Sequence, residues 1–228
     1  MFTDQAHAQT KALWDASKRH PFITQLQAGT LPATTFRYYL IQDHHYLHEF
    51  GKLHDLAADQ SNDPRVVNQL RAGAASLRDG EIAVRQTFFD RLNITPAEVA
   101  AVTAAPTCYA YISHIYRALL TAGPAGAVAG LLPCYWLYAE IGQALAGTGS
   151  PVPIYQSWID TYNADDYTGA MHDQLALANY VATPANTDAL LAIFKKSSWY
   201  ELQFWQMALD QEDWSITDAN AASAFSRH

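Results

Sequence analysis

The chain has 228 residues, half of them hydrophobic and only 16% charged, with a formal net charge of −8. That length fits one domain or two small ones, and the apolar half suffices for a single large core. The acidic balance and the absence of any Lys/Arg run exclude a basic stripe for nucleic acid and give no support for membrane-surface binding.

A charged fraction below the usual quarter points to surface covered by other subunits or to a deep internal pocket. The start, Met1 to His7, lacks a basic region followed by an apolar stretch, so no secretory signal is expected. No apolar run is expected to span a bilayer, because Gly130 and Pro133 interrupt the longest one, Ala125 to Tyr138. The expected location is cytoplasmic. Two cysteines, Cys108 and Cys134, form no CxxC pair, so neither a structural zinc site nor a disulfide is expected.

In chain order the sequence reads as helix after helix, punctuated by Pro and Gly, with no convincing apolar/polar alternation. Thr3 caps a first helix that runs to about Lys18 and stops at His20-Pro21. A short helix closes at Gly29, and Pro32 opens a long one to about Ala58. After the polar loop Asp59 to Asp63, Pro64 starts a helix reaching about Leu92. Thr95-Pro96-Ala97-Glu98 reads as a cap and short helix. Pro106 opens the next, to about Ala122, and Gly123-Pro124 separates it from a helix running to Ala146. The clearest loop is Gly147 to Pro153, followed by helices around Tyr155–Asp160 and Asp166–Ala182. Thr183-Pro184 breaks the chain before a last helix, about Thr187 to Asp210, and a small polar tail follows Trp214. With no linker and no repeat, one all-α domain spanning 1–228 is expected.

Four features carry candidate chemistry. Cys134 follows Pro133 inside a helical pattern, where a proline frees backbone groups, and Tyr138 lies one turn on, on the same face. Asp43 and Tyr46 share a face, and a carboxylate facing the interior needs partners or a polar ligand. Glu201 sits among aromatics on the last helix; desolvation there would raise its pKa and suit a general acid. Tyrosines crowd the middle of the chain, from Tyr109 to Tyr167, as in a pocket for a nitrogen-rich aromatic ligand. His44 with His48, and His45 with Glu49, have i, i+4 spacing, but no Glu-x-x-His pair of the di-iron type appears. Glu81 is the one obvious additional metal-ligand candidate.

Several segments in order, Gln42-Asp43-xx-Tyr46-Leu47, Ala110-Tyr111-xx-His114, Leu132-Pro133-Cys134-xx-Leu137-Tyr138, Tyr155-xx-Trp158-Ile159-xx-Tyr162 and Tyr200-Glu201-xx-Phe204-Trp205, resemble the TenA family, also called thiaminase II. The resemblance covers nearly the whole chain and places it in the branch that carries the cysteine. It implies a heme-oxygenase-like helical bundle assembling as a homotetramer. It implies hydrolysis of 4-amino-5-aminomethyl-2-methylpyrimidine to the hydroxymethyl pyrimidine and ammonia, a thiamin salvage step, with slower cleavage of thiamin and no metal or organic cofactor. By matching positions, it implies that Cys134 is the nucleophile and Glu201 the general acid and base. Tyr46 would tune the thiol and Asp43 would bind the amino and ring nitrogens. Tyr111, Tyr138, Tyr162 and Phe204 would line the pyrimidine pocket. Two readings compete: a metal-dependent oxygenase-like enzyme of the same architecture, and a non-catalytic pyrimidine- or thiamin-binding protein.

Overall fold

The structure, a computed structural model, describes residues 1–78 and 82–214, with the side chains of 82–85 excepted. Glu81 and everything after Trp214, including the expected polar tail, lie outside the described residues. The described chain is helical, with no strand. Its elements are α1 (Phe2–Lys18), α2 (Pro21–Ala28), α3 (Ala33–Asp59), α4 (Pro64–Ser76), α5 (Ile82–Leu92), α6 (Pro96–Ala101), α7 (Pro106–Ala146), α8 (Pro153–Asn163), α9 (Asp165–Val181) and α10 (Thr187–Asp210).

The starts follow local chemistry. Pro occupies the first turn of α2, α4, α6, α7 and α8, where its missing N–H is no loss. Asp63 accepts from the Arg65 amide and Thr95 from the Glu98 amide, each satisfying an orphan donor. Thr3 does not cap α1: Met1 takes that place, and the buried Thr3 hydroxyl instead donates to Asn179 of α9. The helix expected from Pro64 to Leu92 is described as α4 and α5.

The long α7 bends where the sequence indicates. Gly123 adopts φ 64° and ψ −160°, a conformation that L side chains avoid, and the two halves of α7 diverge there. Pro133, by contrast, stays within the helix. At Gly142 an added Cβ would sit 2.6 Å from the Tyr162 backbone, so this glycine sets how closely α8 approaches α7. By length and composition α7 could cross a bilayer, contrary to the expectation above, but the greater part of its most apolar stretch is buried inside the bundle.

The core lies along α7, with α10 and α3 as its principal neighbours and α8 and α9 closing another side. Trp14, Tyr39, Phe194, Trp158 and Trp205 are fully buried there. Truncating such a ring to alanine costs about 3–5 kcal/mol. Polar clamps fix the ends around this core. Gln42 of α3 donates to the Thr103 carbonyl and accepts from the Ala105 amide, pinning the start of α7 beside Asp43. The Arg37 fork binds both Glu98 oxygens and the Leu92 carbonyl, tying α3 to the end of α5 and to α6. Glu212, just beyond α10, accepts from the Thr107 amide at the mouth of α7.

Candidate active site

Glu201 is brought in by α10 and is almost wholly buried, at 2% exposure. Removal from water disfavours its charged form and pushes its pKa up to about 8, although the Tyr111 hydroxyl, donating at 2.7 Å to Oε1, pulls in the opposite direction. At neutral pH this carboxyl therefore holds a proton. The desolvation that the aromatic surroundings predicted is present.

Tyr111 comes from the first half of α7 and is sandwiched between two rings. Tyr46 of α3 stacks on it at 4.9 Å and Tyr200 of α10 at 5.3 Å. Burial holds Tyr46, Tyr111 and Tyr138 well above the ordinary phenol range, so all three remain hydroxyl donors. The Cys134 sulfur and the Glu201 carboxyl both lie close enough to act electrostatically on each of the three tyrosines. Side chains from α3, both halves of α7 and α10 thus converge on one locus. Cys134 forms no disulfide and is only half-buried, whereas Cys108 is fully buried with its pKa pushed up to about 12. Cys108 is inert structure; Cys134 is the accessible sulfur.

Two further expected residues pack against the same rings. Phe204 stands edge-on to Tyr46 at 5.8 Å. Tyr162 of α8 packs on Tyr138 at 4.8 Å. Asp43 is buried on α3, one turn before Tyr46 and on its face. The histidines beside it stay near one another without gathering as metal ligands. His48 is exposed, His45 turns to the Val102 backbone, and Glu49 pairs with Lys52 and Tyr116. Among the described residues no three His, Cys, Asp or Glu side chains gather as metal ligands.

Two parts of the setting were not read from the sequence. Tyr39 joins the site through its hydroxyl, which accepts from Trp158 Nε1 at 3.3 Å and lies 3.5 Å from the Tyr138 hydroxyl. Its position one helical turn before Asp43 was the available signal. His54, fully buried one turn after Phe50, donates from Nδ1 to the Phe50 carbonyl, which fixes its tautomer and leaves Nε2 to accept from Tyr135 at 3.0 Å. Burial pushes the His54 pKa down to about 4, so the ring stays neutral.

A group combining a buried protonated carboxyl, an accessible thiol, a buried aspartate and stacked tyrosines can bind a planar nitrogen heterocycle and move a proton at its edge. Comparison with known proteins places the chain among relatives. A relative from Bacillus subtilis named aminopyrimidine aminohydrolase is 35% identical over 218 residues, covering 94% of this chain and 92% of that one. The TenA homologue protein from P. horikoshii OT3 superposes with a TM-score of 0.87 at 25% identity, covering 92% of this chain and 99% of that one. A domain from Shewanella denitrificans described as having a heme oxygenase-like fold superposes at 0.73 with 13% identity, covering 92% of each chain, and shows the same fold. A family model, TENA/THI-4/PQQC, matches residues 7–211, and the chain belongs to that family.

Proposed function

We propose that this chain is an aminopyrimidine aminohydrolase. It would hydrolyse 4-amino-5-aminomethyl-2-methylpyrimidine to the hydroxymethyl pyrimidine and ammonia in thiamin salvage, and would cleave thiamin at the same methylene. The observation that carries the reading is the buried Tyr111–Glu201 pair beside the accessible Cys134 thiol. The name printed for the Bacillus subtilis relative supports the substrate class.

In this mechanism Asp43 and the rings of Tyr111, Tyr138, Tyr162 and Phe204 hold the pyrimidine, and that positioning supplies much of the rate. The Cys134 thiolate adds to an electron-poor ring carbon. The pushed electrons expel the amine from the attached methylene, and Glu201 gives that amine its proton. Water then adds to the methylene carbon while Glu201 takes a proton back, and the thiolate leaves. One carboxyl serves as acid and then as base, which suits a group titrating near the working pH. Tyr46 stays protonated near the sulfur, and its hydroxyl would steady the thiolate as it forms. No step calls on a metal or organic cofactor.

The chain would act as one domain over 1–228, in the cytoplasm, as a homotetramer. A thiol nucleophile and a second free cysteine favour a reducing compartment. The assembly is supported by a groove in which Tyr109 is 57% exposed and Trp199 46%, beside Arg117, Lys195 and Lys196.

The deciding experiment is ammonia release from the aminomethyl pyrimidine, run beside thiamin, with Cys134→Ser as control. Turnover by the wild type and near-complete loss in the variant are expected. Full activity of Cys134→Ser sinks the nucleophile assignment; tight binding without ammonia release by the wild type points to a non-catalytic binding protein.

A further inference from the structure

Cys134 stands on a turn of α7 whose hydrogen-bond ladder is incomplete. Pro133 has no N–H, so the Ala129 carbonyl lacks the amide that an uninterrupted helix would supply, although the helix continues through it. The next two residues are each tied to another helix. The Cys134 carbonyl accepts from the Tyr167 hydroxyl of α9 at 3.3 Å. The Tyr135 hydroxyl donates to His54 Nε2 of α3 at 3.0 Å. What this turn loses locally is replaced by directional bonds from two neighbours.

The His54 bond is held rigidly. A leucine would fill this buried place without the desolvation that an imidazole suffers, so packing alone does not call for histidine. The Nδ1 bond to the Phe50 carbonyl, at 2.8 Å, fixes the ring. Burial keeps that ring neutral, so Nε2 remains an acceptor across the neutral range. Room for it depends on Gly73 of α4, where an added Cβ would lie 2.8 Å from His54 Cδ2 and 3.1 Å from Nε2. Phe50 packs on Tyr135 at 5.4 Å and on Tyr46 at 5.3 Å. Tyr46 lies two turns before His54 on the same helix, and the Cys134 sulfur acts on it electrostatically. One stretch of α3 therefore faces both the thiol's surroundings and the residue next to the thiol.

We propose that His54 is a positioning residue for the Cys134 nucleophile, acting through the Tyr135 hydroxyl. It sets the rotation of the turn after Pro133, and with it the place of the sulfur relative to Tyr46. His54 itself touches no reacting atom. The inference rests on the hydrolase reading and adds to it a residue that acts through another. Because Asp43 and the pocket rings hold the pyrimidine, a misplaced sulfur is read in kcat rather than KM. It is also read in the thiol itself, since the Tyr46 hydroxyl would steady a displaced thiolate less well. Tyr46 of α3, Tyr111 and Tyr138 of α7 and Glu201 of α10 are the titratable groups sharing this locus. The substitutions below leave all four in place.

The test uses the full chain as wild type, Tyr135→Phe, His54→Leu, His54→Gln and the double variant His54→Leu/Tyr135→Phe, each assayed below its own unfolding transition. Glutamine can place an acceptor where Nε2 stands, so His54→Gln is the conservative variant. With the aminomethyl pyrimidine, kcat is expected to fall about tenfold in Tyr135→Phe and in His54→Leu while KM stays within about twofold, because small misplacements act on rate. His54→Gln is expected to recover most of the rate, and the double variant to be no slower than either single one. An unchanged kcat in Tyr135→Phe, or losses that multiply in the double variant, overturns the proposal. The second readout needs no turnover. Alkylation of Cys134 by iodoacetamide, followed by mass spectrometry as a function of pH with Cys134→Ser as the blank for Cys108, gives the titration midpoint of the thiol. That midpoint is expected to rise by about half a unit in Tyr135→Phe and His54→Leu and to return in His54→Gln. Equal midpoints in wild type and Tyr135→Phe overturn the positioning role even where both proteins are active. A shifted midpoint in a protein that releases no ammonia keeps the positioning role and removes the hydrolase reading.

Discussion

The Tyr111 hydroxyl donates to Glu201 across 90 residues of sequence, and this bond eases the hold that burial gives the carboxyl on its proton. Burial raises the Glu201 pKa and Tyr111 moderates the rise, because a donor favours the carboxylate over the acid. In Tyr111→Phe the moderating donor is gone. The Glu201 pKa is expected to climb above about 8, by about one unit. The alkaline limb of kcat, where the acid form is lost, moves to higher pH with it. An unchanged alkaline limb in Tyr111→Phe, measured over pH 6 to 10, excludes Glu201 as the group behind it.

Glu201→Gln separates chemistry from binding. The amide keeps the shape and can still accept from Tyr111, so the pyrimidine should bind with nearly wild-type affinity. Acid–base work by a positioned group is worth about 10²–10⁴ in rate, and that factor is the expected loss in kcat. A change confined to KM counts against the acid–base role.

The same carboxyl makes stability depend on pH, in a direction opposite to that of a salt-bridged acid. Its folded pKa, about 8, lies above its unfolded value of 4.5. Below 4.5 both states are protonated and the full stability is present. Between there and about 8 the unfolded chain releases a proton that the folded chain keeps, so stability falls as pH rises. The loss amounts to a few kcal/mol at most, on the order of 1.4 kcal/mol for each unit of pKa difference. Glu201→Gln is expected to raise Tm at pH 8 and to leave it nearly unchanged at pH 4.5. Equal shifts at both pH values rule out this origin.

What the sequence could reveal divides along physical lines. Punctuation by Pro and Gly acts over a few residues, so the helix order, the Thr95 cap and the break at Gly123 were all readable. Thr3 misled because it has the chemistry of a cap, but tertiary packing uses its hydroxyl against Asn179. Glu201 was singled out by its aromatic neighbours along one helix. Its bond to Tyr111, the His54–Tyr135 pair and the part played by Tyr39 depend on which helices face each other, and no local pattern encodes that. His44 and His48 have the i, i+4 spacing of a ligand pair, yet spacing says nothing about whether other helices contribute ligands. The ordered set of short segments told more than any single one because it constrains several helices at once.

Asp43→Asn examines the anchoring role. A carboxylate can accept from both an exocyclic amine and a protonated ring nitrogen, whereas an amide presents N–H groups toward one of them. Hydrogen bonds to charged groups contribute about 1.5–3 kcal/mol, so substrate affinity should fall about tenfold to a hundredfold. The side chain is buried, so thermal unfolding is needed to show that the variant remains folded. Wild-type affinity in a folded Asp43→Asn protein removes Asp43 from the pyrimidine site.

The exposed face and the active site share a wall, and that makes the proposed assembly testable through activity. Trp199 and Tyr109 line a groove formed by α1, α7 and α10, and Tyr200 lines it too. Tyr200 stacks on Tyr111 with nearly parallel rings, 11° apart, and Tyr111 holds Glu201. Covering the groove with another copy would fix the Tyr200 ring and, through it, the donor that moderates the carboxyl. A charge at Trp199 should be tolerated by the fold, since the side chain is 46% exposed, but not by an apolar contact between chains. Trp199→Glu is therefore expected to sediment as a species smaller than four chains while keeping its helical circular dichroism. Its kcat should fall and its alkaline limb should shift, as in Tyr111→Phe but by less. A wild-type protein that sediments as a single chain, or a Trp199→Glu protein that stays tetrameric and fully active, shows that this face does not join subunits.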